Sequence, residues 1–344
     1  GAGVKVALVN GTRGFGGGER WFLEAAAALA ARDHSVTLHA APGDVLAQRA
    51  KQAGIPLAPV FAVDTEVCVL NSRRDLAAVL GAFRGPPPFR LVLRRGIDRP
   101  LHDGLFRRGA WKRLSAILAN SEATAATIRR SLPWFPASRL RILPNPVAFA
   151  PAPSAPPSGD LLRIGAAGRL VRQKGFDVLL RALALLDDLP FRAEIAGDGK
   201  LGPRLRRLAG SLRLGPRVTF RGRLDDLAAF FASQDVIAVP SRYEGFCYVA
   251  AEAALAGLSV VASDVSSLRE VVSHGETGLL LPPDDPVALA AALRDLARDP
   301  ARRRELGGRA REQARRRFSP EPIYDALIQF LAEAAGLPPV GGKE

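Results

Sequence analysis

The chain has 344 residues, 48% hydrophobic and 24% charged, with a formal net charge of +14. That length suggests two domains of ordinary size, each able to bury a core, and the balance excludes a disordered or fibrous chain. Only six of the 48 basic residues are lysine, so much of the charge fits a compositional arginine bias, and an uneven patch of it would draw anionic partners. In chain order, VKVALVN (4–10) reads as a short buried strand and runs into the glycine-rich GTRGFGGGER (11–20). A long helical pattern follows in WFLEAAAALAARD (21–33), and then a strand in SVTLHAA (35–41). Strand, glycine loop, helix and strand in that order begin a parallel α/β sheet with right-handed crossovers. Weaker strands are predicted at PLAPVF (56–61), VCVLN (67–71), FRLVLR (89–94), AILAN (116–120) and LRILPN (140–145).

PVAFAPAPSAPPSGD (146–160) is proline-rich and reads as a linker. The α/β rhythm then restarts. Strands are predicted at LRIGAAG (162–168), FRAEIAG (191–197), VTFRG (218–222), VIAVP (236–240), SVVAS (259–263) and GLLLP (278–282). They alternate with helical patterns at 175–186, 201–212, 224–233, 248–257 and 285–297, and an amphipathic helix at 318–336 ends the series. Two doubly wound α/β domains result, with a ligand cleft expected between them. The boundaries read as 1–150 for the first domain, completed by a terminal helix at about 319–344, and 151–318 for the second.

Two carboxylates stand out in SRYEGFCYVAAEAALAG (241–257), Glu244 and Glu252. On one helix that spacing puts the Cα atoms about 12 Å apart with side chains roughly 80° apart, which argues against an acid–base pair for glycoside hydrolysis. Glu244 instead falls before the helix, at the carboxyl end of the strand VIAVP, and Glu252 inside it. The N–H groups of Phe246, Cys247, Tyr248 and Val249 lie between them at a helix start, a place that binds phosphate. A nucleoside diphosphate bound there would have Glu244 on its sugar side and Glu252 reaching a ribose. Taken alone, the stretch fits equally a helix-start Glu244 and a solvated Glu252.

The wider pattern resembles the E-x7-E motif and flanking sequence of the retaining glycosyltransferases of family 4, which have the GT-B fold. The resemblance rests on AAGRLVRQKGFDVLLRALALL, IAGDGKLGPRLRRLA, VTFRGRLDDLAAFFASQDVIAVPSRYEGF and SVVASDVSSLREVVSHGETGLLLPPDDPVALAAAL, in that order. At the front, GFGGGERWFLEAAAALAARDHSVTLHAA, ILANSEATAATI and RILPNPV are similar to the family's amino-domain landmarks. The resemblance implies a metal-independent, retaining transfer of a sugar from a UDP- or GDP-sugar to a hydroxyl, in cell-envelope, polysaccharide or glycolipid synthesis. It implies Arg169 and Lys174 as the pair that holds the diphosphate, and Glu244 as the residue that positions the donor sugar. Donor binding would extend to Gly17, Gly18, Gly197, Leu224, Phe246, Cys247, Tyr248, Val249 and Glu252. Glu19, Arg94, Arg95 and Asp98 are the candidates for acceptor binding.

The residue chemistry agrees with that. Two cations and a helix start can neutralise a leaving diphosphate, and no Asp-x-Asp sequence occurs to hold a divalent ion. Neither metal nor cofactor is expected.

The chain also departs from the family. Cys247 stands where many relatives have glycine, and Ser266 and Ser267 where paired glycines are common. Arg94 and Arg95 end the strand that often carries a histidine, with His102 and Asp98 as nearby alternatives, and His274 reads as a turn residue.

Residues 84–141 hold thirteen Arg or Lys against three acids. The patch, with Arg94, Arg95, Arg99, Arg107, Arg108 and Lys112, fits a phosphorylated or lipid-linked acceptor, peripheral docking on an anionic membrane, or an indifferent solvated surface. No apolar run is long enough to span a membrane, and Cys68 and Cys247 form no disulfide framework or metal-ligand spacing. A cytoplasmic protein is expected, and docking on the inner face of the cytoplasmic membrane is one of those three readings of the patch. Two other readings compete. A sugar-nucleotide enzyme on the same fold, such as an epimerase, would want an acid–base set rather than two cations. A nucleic-acid or anionic-surface binding protein would want aromatic residues interleaved with the basic ones, and no nucleic-acid partner is expected.

Overall fold

The computed structural model describes residues 3–58, 61–62, 64–102, 104–152 and 161–336, and side chains 105–107 lie outside that description. Two compact units emerge, residues 1–146 with 320–344, and residues 147–319. The sheet of the amino-terminal unit contains β1 (Lys5–Asn10), β2 (Ser35–Ala40), β3 (Val67–Leu70), β4 (Arg90–Arg95), β5 (Ala116–Ala119) and β6 (Leu140–Ile142). All its pairings are parallel, in the order β2-β1-β3-β4-β5-β6. Strands covered on both faces read as continuous apolar runs, and β3 and β5 are buried at every position.

The second unit repeats the scheme with β7 (Leu162–Ala167), β8 (Phe191–Ala196), β9 (Val218–Gly222), β10 (Val236–Val239), β11 (Ser259–Ser263) and β12 (Gly278–Leu281). Its order is β12-β11-β10-β7-β8-β9. The chain therefore reverses direction across the sheet between β7 and β10. Ligands of open α/β sheets bind at such a switch point, beyond the carboxyl ends of the strands. In the amino-terminal unit the equivalent point lies between β1 and β3.

Several helices surround these sheets that the periodicity did not indicate, α2 (Val45–Gln52), α3 (Arg73–Gly81), α4 (Leu105–Trp111) and α5 (Glu122–Ser131) among them. Ser72 and Ser121 cap α3 and α5 through their hydroxyls, a start signal for helices too short to show a long stripe. The longest of the unexpected helices is α12 (Pro300–Phe318). The predicted strand at 56–61 is corrected: only Leu57 bridges to Leu38, and 59–60 lie outside the described residues. Proline at 56 and 59 denies the ladder two donors.

The change of unit falls at Pro146 and Val147, ahead of the expected position 150. Val147 is already part of the second core. It is 3% exposed, and its N–H donates to Phe318 O at 2.9 Å. Phe149 continues the anchorage, edge-on to Phe231 at 5.7 Å. Of the expected linker, 153–160 lie outside the described residues. The final helix α13 (Pro320–Gly336) returns to the amino-terminal unit, and 337–344 again lie outside.

Candidate active site

The switch point of the second unit carries two loops, one after β7 and one after β10. The first contains Arg169 and a 3-10 turn, Arg172–Lys174, before α6 (Phe176–Ala184). The second contains Ser241, Arg242, Tyr243 and Glu244 and leads into α9 (Tyr248–Leu255). Gly175 lets the loops meet. Its φ is +63°, and a Cβ there would stand 1.9 Å from Pro240 O, so both the left-handed turn and the close approach require glycine.

Lys174 and Glu244 come together at that junction. Lys174 Nζ donates to Glu244 Oε1 at 2.5 Å, and Ser241 Oγ donates to the same oxygen at 2.7 Å. Glu244 is 3% exposed, and a polar group buried so deeply costs free energy unless hydrogen-bonded, which these two donors provide. Burial penalises the Lys174 ammonium, but the Glu244 carboxylate outweighs it against opposition from Arg169, and the pKa lies above the ordinary lysine value. Arg169 is exposed, and its guanidinium makes no hydrogen bond or ion pair among the described residues. The arrangement thus couples one satisfied cation with one open to an anion.

Helix α9 begins beside these charges. Cys247 is its N-cap, and the positive end of the helix dipole at this point favours an anion. Burial, reinforced by Glu244, pushes the Cys247 thiol up to about 12, so it stays protonated and serves as packing. Phe246 meets Tyr248 and Phe318 edge-on at 5.2 and 5.4 Å. Val249 is half-buried. Glu252, read from the sequence as either functional or solvated, is not solvated: it lies inside α9 at 5% exposure. Gly197 follows β8, with its N–H on Gly222 O at 2.7 Å, and Leu224 is half-buried beyond β9.

Gln173, Ser241, Arg242 and Ser267 had no assignment from the sequence. Gln173 Nε2 donates to Tyr243 O at 3.0 Å, and Ser267 Oγ to Glu244 O at 3.4 Å. The only available signal was position, since each flanks a carboxyl-end loop. His274 is the turn residue expected: its Nδ1 accepts the Leu280 N–H at 3.0 Å.

The remaining candidates belong to the amino-terminal unit. Gly17 and Gly18 open α1 (Gly17–Ala30), and Glu19 caps it. Glu19 Oε2 accepts the Gly16 N–H at 2.9 Å and Oε1 accepts from Asn10 Nδ2 at 3.4 Å, a structural task that occupies both oxygens. Arg94 is 2% exposed, donates to Asn145 Oδ1 at 2.8 Å and lies 4.8 Å over the Trp21 ring. Arg95 donates to Arg99 O at 2.9 Å, and Asp98 accepts from Thr127 Oγ1 at 2.6 Å. His102 is exposed, and its carbonyl accepts from Trp111 Nε1. Arg108 and Lys112 are exposed, whereas the Arg107 side chain lies outside the described residues. No helix of the described residues is long and apolar enough to cross a membrane.

Two six-stranded parallel sheets of these orders, in two units of which the first is completed by the terminal helix, define the GT-B fold on which many glycosyltransferases are built. Residues 162–299 match the family described as Glycosyl transferases group 1, and the second unit is a domain of that group. The chain is similar to the D-inositol 3-phosphate glycosyltransferase of Streptomyces avermitilis, with 39% identity over 161 residues, 43% of this chain and 35% of that protein. Against the lipopolysaccharide core biosynthesis glycosyltransferase LpsD of Rhizobium meliloti, identity is 28% over 267 residues, 76% of this chain and 73% of that one. The chain spans less than half the length of several curated relatives it matches. Among solved structures, Anabaena HepE in complex with UDP-glucose superposes with a TM-score of 0.80 at 21% identity, over 96% of this chain and 99% of that one.

Proposed function

We propose that the chain is a retaining glycosyltransferase that moves a sugar from a nucleotide-diphosphate sugar to an acceptor hydroxyl without a metal ion. The observation that carries this reading is the convergence of Lys174, Arg169 and Glu244 beside the start of α9, at the switch point of a group 1 domain. Lys174 and Arg169 neutralise the leaving diphosphate, and the helix start adds its dipole. Glu252 meets the ribose, as a carboxylate does in dinucleotide sites. Glu244 positions the donor sugar's hydroxyls and stabilises positive charge at the reacting carbon. The leaving phosphate takes the proton from the acceptor hydroxyl on the same face.

The UDP-glucose complex of the structural neighbour supports a uridine carrier. Relatives named for inositol phosphate and for lipopolysaccharide core support a phosphorylated or lipid-linked acceptor, in cell-envelope or polysaccharide synthesis at the cytoplasmic face. Arg94, Arg95 and Asp98 are assigned to that acceptor, and Arg99, Arg108 and Lys112 to peripheral contact with an anionic surface. Glu19 is left to its cap.

Incubation with a panel of nucleotide sugars, with released nucleotide assayed in EDTA, tests the reading. Turnover should survive chelation, and the new glycosidic bond should carry the donor's anomeric configuration by proton NMR. Transfer abolished by EDTA and restored by magnesium or manganese would overturn the metal-independent mechanism. An inverted product would overturn retention, and no turnover with any nucleotide sugar would remove the transferase.

A further inference from the structure

The two loops at the switch point are joined nearly residue by residue. Gln173 O accepts the Arg242 N–H at 2.7 Å, Gln173 Nε2 reaches Tyr243 O, Lys174 reaches Glu244, and Gly175 lies against Pro240. One further side chain closes this seam. Arg242 Nη1 donates to Arg172 O at 2.6 Å and to Asp177 Oδ1 at 3.0 Å, and Nη2 to Asp177 Oδ2 at 2.8 Å. Its Nε faces Asp284 Oδ1 at 2.7 Å. The side chain is 19% exposed. All three guanidinium nitrogens are therefore used, on groups from the Arg172–Lys174 turn, the first turn of α6 and the segment after β12.

We propose that Arg242 is a positioning residue for transfer, locking the Arg172–Lys174 turn to the loop of Glu244 and so fixing where the Lys174 ammonium stands. Arg242 touches neither Lys174 nor Glu244 through its side chain; it acts on them through backbone. A planar fork suits this task because four contacts from one rigid group fix an orientation, which a lysine ammonium cannot reproduce. The proposal rests on the transferase reading for its kinetic consequence, although the seam itself is a property of the fold.

Arg242→Met keeps the aliphatic stem and removes the fork. It should lower kcat about tenfold or more while UDP affinity changes by less than about threefold, because displacing a charge by an ångström costs more in the transition state than in binding. Arg242→Lys should not rescue kcat. In a Lys174→Ala background the same substitution should cost less than about twofold more, since residues acting as one unit are not additive. Full additivity, or a loss of UDP affinity equal to the loss of kcat, would overturn the proposal. Amide exchange over 171–176 needs no substrate and should quicken about tenfold in Arg242→Met as the turn opens locally. Unchanged exchange sinks the proposal whatever the kinetics. If wild-type chain transfers nothing, the transferase reading falls and the exchange result alone decides the seam. Should Arg242→Met fail to fold, Asp284→Asn weakens the same fork at an exposed carboxylate, and the same signs are expected at smaller size.

Discussion

Lys174 holds its proton between an attractive carboxylate and a repulsive guanidinium, and its behaviour follows from which is stronger. Its pKa is raised because Glu244 overcomes burial and Arg169. A raised lysine pKa keeps the charge, and the stability it confers, at every pH below the ordinary value of 10.5; above it the stability fades, and it is gone once pH has risen through the raised value, where the charge itself is lost. The pH–rate profile should accordingly show no lysine limb between neutrality and mild alkali. Lys174→Ala should lower kcat by about two orders of magnitude or more, because developing diphosphate charge loses a donor. Glu252→Ala should instead weaken nucleotide binding by about 1–3 kcal/mol, the worth of a charged hydrogen bond. Steady-state kinetics and UDP titration separate the two, and near-wild-type values in both variants would dissolve the site. Lys174 and Glu244 were legible in the sequence because each sits at a strand's carboxyl end in a recognisable motif. Arg242 was not, because its meaning depends on Asp177, 65 residues away, and on a carbonyl that any residue carries.

Helix α12 shows why an element of nineteen residues went unrecognised. PARRRELGGRAREQARRRF carries eight arginines and two adjacent glycines, so its apolar content is too thin for a periodic signal. The buried positions are nevertheless regular. Leu306, Ala310, Ala314 and Phe318 recur every fourth residue and form one stripe, which packs on α9, β11 and β12. The two glycines are not equivalent. A Cβ on Gly307 would stand 2.0 Å from Gly257 O, whereas a Cβ on Gly308 would meet nothing within 4 Å. Gly308→Ala should therefore stabilise by about 0.5–1 kcal/mol, the ordinary gain in a helix interior. Gly307→Ala should destabilise by about 1–3 kcal/mol, since helix and turn must part. Urea unfolding followed by circular dichroism checks both, and equal shifts of the same sign would contradict the packing. The core strands were easier to read because burial on both faces leaves unbroken apolar runs.

At the scale of the whole molecule, the chain builds its first unit from both ends. Tyr324, Leu327, Phe330, Leu331 and Ala334 of α13 join the core that contains Leu8, Phe22, Val69 and Val92. Burying four large apolar side chains is worth about 6–12 kcal/mol, which is comparable with the whole net stability of many domains. Deleting 320–344 should thus unfold the amino-terminal unit at room temperature. The second unit keeps its own two cores, one formed around Ile164, Leu179, Leu183 and Leu293, the other around Phe231, Ala250, Ala254 and Phe318. It should stay folded in the truncated chain and keep its affinity for UDP. The tryptophans make the outcome readable, because Trp21, Trp111 and Trp134 all lie in the amino-terminal unit. Their emission should shift to the red on truncation, as the rings meet water, while helical circular dichroism falls only in part and UDP still titrates. A truncated chain whose tryptophan emission stays blue and melts cooperatively would show that α13 merely covers a core that holds without it. Loss of UDP binding together with the red shift would show instead that the two units fold as one.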